Sequence, residues 1–99
     1  PYVFLALLTF AHEQKAFVYQ AAAEAAHKLQ QFLSKEAILL GPTPSPIARL
    51  KKRYRYQIML KYRQEPQLLH GLETILEHFA EQRRQGLQIT IDMNPYQFM

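Results

Sequence analysis

Hydrophobic and polar positions change period along this chain in a way that marks out six elements. Residues Tyr2 to Phe10 are apolar on both faces and rich in strand formers, the pattern of a strand in the middle of a sheet. From 13 to 33 the period becomes helical: Val18, Ala22, Ala25, Leu29 and Phe32 or Leu33 form one stripe, with Glu13, Lys15, Glu24 and Lys28 off it. Ala37 to Leu40 is a short apolar run stopped by Gly41 and Pro42, which predicts a short edge strand. Residues 42 to 52 predict a loop held open by Pro42, Pro44 and Pro46, because each proline pushes the residue before it toward an extended conformation.

Strict alternation follows in 53 to 62. Tyr54, Tyr56, Ile58, Leu60 and Tyr62 share one face, while Arg53, Arg55, Gln57, Met59 and Lys61 share the other. Pro66 suits a helix first turn, Leu68, Leu72, Ile75, Leu76 and Phe79 make that helix's stripe, and Gly86 suits its end after Arg83 and Arg84. Last, Leu87, Ile89, Ile91 and Met93 alternate in a strand closed by Asn94 and Pro95, a turn that Asp92 is expected to cap. The order strand, helix, strand, strand, helix, strand predicts an α+β, ferredoxin-like βαββαβ fold: a four-stranded antiparallel sheet with both helices on one face. Its bare face would expose the second, apolar side of the first strand, which is expected to pack on another domain.

Ninety-nine residues, 48% of them hydrophobic, suit one small domain, 1–99. The apolar start has no basic leader and is too short to span a bilayer. Beginning at Pro1, the chain reads as a piece of a longer protein, and the expected setting is soluble and cytoplasmic. The absence of cysteine excludes disulfides, thiolate zinc sites and a cysteine nucleophile within the chain.

Charge changes the picture most. Between Glu36 and Glu65 there is no acidic residue, whereas Arg49, Lys51, Lys52, Arg53, Arg55, Lys61 and Arg63 carry seven positive charges. The rest of the chain has five basic residues against eight acidic ones, so the net charge of +4 is this segment's +7 less 3 from everything else. A local basic run beside aromatics is what a surface that meets phosphates requires. A row of Arg, Gln and Lys is also what any half-exposed strand shows, and charges blunt sheet edges. The additional Arg49, Lys51 and Lys52 tip the balance toward a binding surface. Tyr54 and Tyr56 share a face with Ile58 and Leu60 and so read as core; the opposite register would let them stack on unpaired bases.

Constellations for catalysis are missing. Gly41, Gly71 and Gly86 stand singly, with no phosphate-cradling loop. His70 and His78 lie near one helical face without a third metal ligand, and the carboxylates read as solvated helix faces.

The run Gly41, Pro42, Pro44, Pro46, Ile47, Arg49, Leu50, Lys51, Arg53, Tyr54, Arg55 and Gln57, with Ile91, Asp92 and Pro95 some thirty residues later, resembles the C-terminal domain of the PriA family, the bacterial primosomal protein N′. The resemblance covers nearly the whole chain and implies a C-terminal piece of an ATP-dependent 3′-to-5′ helicase that restarts replication. That parent would use ATP, magnesium and zinc, with none of these cofactors held by this piece, which would not itself be an enzyme. The resemblance implies binding of forked or single-stranded DNA, with Arg49, Lys51, Arg53 and Arg55 facing it, joined by Lys52 and Lys61 from the charge pattern, and Tyr54 and Gln57 as motif residues. It also implies other helicase domains, primosome proteins and the acidic tail of single-stranded DNA-binding protein as partners. The sequence departs from the family pattern at Lys52 (often Gly), Tyr56 (often Trp), Asn94 (often Asp) and Glu65, near which relatives carry a basic residue for the acidic tail. The rival reading is an interaction domain, in which the apolar sheet face and basic rim dock helicase lobes or acidic peptides.

Overall fold

A computed structural model describes residues 3–93. The elements run β1 (Phe4–His12), α1 (Lys15–Gln30), β2 (Ile38–Leu50), β3 (Arg53–Tyr62), α2 (Leu68–His78), α3 (Ala80–Arg84) and β4 (Gln88–Asp92). The sheet order is β2-β3-β1-β4 with every neighbouring pair antiparallel, which is the ferredoxin-like arrangement. β1 is central, as its two-sided apolar pattern predicts.

Ala6, Leu8 and Phe10 of β1 and Tyr56, Ile58 and Leu60 of β3 point to one side. There they join Val18, Ala22, Ala25 and Leu29 of α1 and Leu68, Leu72 and Ile75 of α2 in a single buried cluster. Both helices therefore cover one face of the sheet. The small alanines of α1 let it lie close to the strands, and burying the aliphatic side chains contributes roughly 1.5–3 kcal/mol each. Glu65 ties the segment before β2 to the start of α2: its carboxylate accepts from the Ser34 N–H at 2.7 Å and from the Ser34 hydroxyl at 2.6 Å.

Two expectations need correction. Residues 42 to 52 are not an open loop, because β2 continues to Leu50 along the sheet margin, with register shifts between Leu40 and Thr43 and between Pro44 and Arg49. Proline cannot donate to a ladder, yet on an edge strand its missing N–H can face outward, so the three prolines are tolerated and the pairing bulges around them. Within 42 to 52 the turn is Lys51-Lys52, both left-handed with φ of 54° and 67°, the two-residue hairpin geometry whose twist matches the flanking strands. The second helix also breaks. Phe79 sits at φ −98° and ψ 16° between α2 and α3, with its buried ring edge-on to Phe10 at 6.3 Å. Packing of that ring into the core overrides helical continuity.

α3 ends where Gly86 predicts. Gly86 has φ 116°, its N–H donates to the Arg83 carbonyl at 3.3 Å, and the Leu87 N–H donates to the Gln82 carbonyl at 2.9 Å, a Schellman ending. The expected cap of Asp92 on Asn94-Pro95 lies outside the described residues. Among the described residues no helix is long and apolar enough to cross a membrane.

Candidate nucleic-acid interface

Because Tyr56, Ile58 and Leu60 face the helices, the alternate residues of β3 must line the bare face. Strand register then sets their neighbours. The row Thr43, Gln57, Thr9 and Thr90 crosses all four strands as a polar band. On one side of it Leu40, Met59, Leu7 and Asp92 align, then Ile38, Lys61 and Leu5, a mostly apolar half in which Ile38 and Leu40 are each about half exposed. On the other side come Arg55, Ala11 and Gln88, and then Leu50 beside Arg53. The bare face is thus divided rather than uniformly apolar.

The basic half is concave. Thr9, Ala11, Leu50, Lys51, Arg53, Arg55, Gln88 and Thr90 line an open cavity of about 430 Å³. Thr9 and Ala11 are short, so they form a floor, while the longer side chains of β3 and β4 rise on either side. Arg53 is held in place: its Nη1 donates to the Gly86 carbonyl at 3.0 Å in a part-buried contact. Three positive charges meet here and no carboxylate lines the cavity. Such a trough can accept anionic oxygens by charge-assisted hydrogen bonds and hydroxyl or amide contacts.

The residues picked out by the sequence are therefore not all together. Lys51, Arg53 and Arg55 converge, and Lys52 is beside them in the turn. Arg49 pairs with Tyr54 across the hairpin and its guanidinium lies over the Tyr54 ring at 4.9 Å, on the helix side of the sheet. Lys61 stands at the opposite end, lining a separate cavity of about 330 Å³ with Glu36, Glu65 and others. Tyr56 is buried against Tyr19 (ring centroids 5.3 Å) and Tyr54 packs on the core, so neither can stack a base on the bare face. Gln57 lies in the polar band. Thr9, Gln88 and Thr90 went unnoticed in the sequence; the alternation of Leu87 to Met93 puts Gln88 and Thr90 on one face, but only register brings them opposite Ala11 and Thr9, across β1 from Arg55 and Gln57.

His70 and His78 are engaged elsewhere. His78 Nε2 is paired with the Glu24 carboxylate, joining α2 to α1, and the His70 ring is edge-on to Phe32 at 5.3 Å. Among the described residues no group of three or more His, Asp or Glu is placed to hold a metal ion.

Comparison with known proteins agrees with this architecture. The family model for the primosomal protein N C-terminal domain matches residues 1–96. The replication restart protein PriA of Bacillus subtilis (strain 168) is 47% identical over 100 residues, covering 100% of this chain and 12% of that protein. The chain thus spans about an eighth of that relative's length. Among solved structures, the de novo designed protein Foldit4 superposes with a TM-score of 0.67 at 6% identity, covering 92% of this chain and 94% of that one, a likeness of fold alone.

Proposed function

This chain belongs to the family of primosomal protein N C-terminal domains, and from that premise we propose that it holds the sugar-phosphate backbone of single-stranded or forked DNA in the trough of Lys51, Arg53 and Arg55. The convergence of these three cations over a floor of small residues, with no carboxylate in the lining, is the observation that carries the reading. Phosphate contacts of this kind position a strand without reading its sequence. The domain would add grip to a longer replication-restart helicase whose ATP-driven unwinding is carried out by other parts of that protein.

Fluorescence anisotropy with labelled fork DNA at several salt concentrations tests this. Each phosphate neutralised contributes about 0.7 to 0.9 to the slope of log affinity against log salt. Lys51→Ala with Arg55→Ala should weaken binding to all sequences alike and flatten the slope by about 1.4 to 1.8. Wild-type affinity and slope in the double variant would discard the trough as the DNA site.

A second role rests on the other half of the face. Ile38 and Leu40, about half exposed beside Met59 and Leu7, form an apolar area suited to packing on another part of the parent protein. Docking of an acidic tail near Glu65 is disfavoured, since a carboxylate already bound to Ser34 occupies that place.

A further inference from the structure

On the helix side of the sheet, a smaller cavity backs onto the same corner. His12, Gln14, Phe17, Gln82 and Gln85 line about 190 Å³. One turn separates it from the basic trough. Gly86 gives its carbonyl to Arg53 at 3.0 Å, and a Cβ placed on Gly86 would stand 4.0 Å from His12 Nε2.

The lining has three chemical features. First, Gln82 Oε1 is closed off from solvent and accepts no hydrogen bond from any described residue. The Gln82 backbone carbonyl serves the end of α3, but the fold makes no use of this side-chain oxygen. A buried amide oxygen without a donor is unfavourable, so a donor entering the cavity gains what the fold has left unmade. Second, the Gln14 N–H donates to His12 Nδ1 at 3.0 Å, so the neutral ring carries its proton on Nε2 and presents a donor on the Gly86 side. Third, the His12 and Phe17 rings lie 4.5 Å apart between centroids, tilted by 56°, and supply aromatic surface.

Aromatic surface, a ring N–H donor and an amide acceptor with nothing to accept, without Lys or Arg, suit a flat uncharged heterocycle with mixed donors and acceptors on its edge. A phosphate would find no fixed cation here, whereas one turn away it would find three. We propose that this cavity takes one unpaired nucleobase of the strand whose phosphates lie in the trough, the strand crossing the Gly86 turn. A rotation of the Gln82 side chain turns Oε1 into the cavity, where it accepts from the base's N–H or amino group, and His12 Nε2 donates to its carbonyl or ring nitrogen. The inference rests on the backbone-binding reading above and adds a base-dependent component to it.

The test compares two probes on the chain by anisotropy: oligodeoxythymidine of about 15 nucleotides, within the span that single-strand-binding folds cover, and an abasic deoxyribose-phosphate strand of equal length. The wild type should prefer the base-bearing strand by at least about fivefold, the ratio expected of one stacked base. Gln82→Leu should narrow that preference and leave abasic affinity unchanged, with no fall in the thermal midpoint because the orphaned oxygen is gone. Phe17→Leu, which keeps apolar bulk, should narrow it as well. Equal wild-type affinity for the two strands, or equal weakening of both by Gln82→Leu, overturns the base site while leaving the trough intact. Failure of the wild type to bind either strand overturns the trough reading, and this one with it.

Discussion

At the residue scale, Lys51 and Lys52 carry two conflicting demands. A left-handed conformation costs a residue with a Cβ roughly 1–2 kcal/mol, and both lysines adopt it in the two-residue turn between β2 and β3. Asparagine followed by glycine satisfies that turn best. Lysine there makes sense if the charge is worth more than the strain. Lys51→Asn with Lys52→Gly should therefore raise stability by about 1 kcal/mol, a shift of about 4–8 °C in a domain of this size, while weakening DNA binding. Thermal denaturation and anisotropy on the same sample check both halves; a variant that loses stability would show that the turn is not strained. Glu65 illustrates a role the sequence could not disclose. A carboxylate at the start of a helix is unremarkable in a string of letters, and only the fold brings Ser34, thirty-one positions away, against it.

At the element scale, alternation was the most legible signal. The two faces of Arg53–Tyr62 and the central position of β1 follow from period alone, since one-residue slips would bury Arg53 and Arg55. What misled was proline. Pro42, Pro44 and Pro46 read as a loop because a central strand excludes them, but at a margin the rule relaxes and β2 runs on to Leu50. The break at Phe79 was equally hidden, being decided by a ring contact with Phe10 rather than by any local breaker. As for the site, the cationic half was visible as a charge run, but Thr9, Gln88 and Thr90 depended on register between strands distant in sequence. The bulge in β2 makes its own demand. Gly41 has φ 109°, and a Cβ there would lie 2.6 Å from the Gln57 carbonyl oxygen. Gly41→Ala should cost about 2–3 kcal/mol from overpacking and left-handed strain together, measurable as a lower urea midpoint; a neutral result would mean that β2 can shift away from β3.

At the scale of the whole molecule, charge is one-sided. The sheet separates Lys15 and Lys28 on α1 from the trough, so Lys15→Ala with Lys28→Ala should leave the salt slope for DNA within about 0.3 of wild type, whereas removing two trough cations flattens it by about 1.4 or more. Equal effects from the two pairs would mean that net charge, not the trough, governs binding. The margins of the sheet differ as well. Along β2 the prolines withhold N–H groups, while β4 carries Gln88, Ile89, Thr90, Ile91 and Asp92 with no proline and no strand on its outer side among the described residues. Growth of a fibre by strand addition needs two receptive ends on each unit. This unit has one among the described residues, so a copy that captures another through β4 caps it, and self-association by that route stops at a pair.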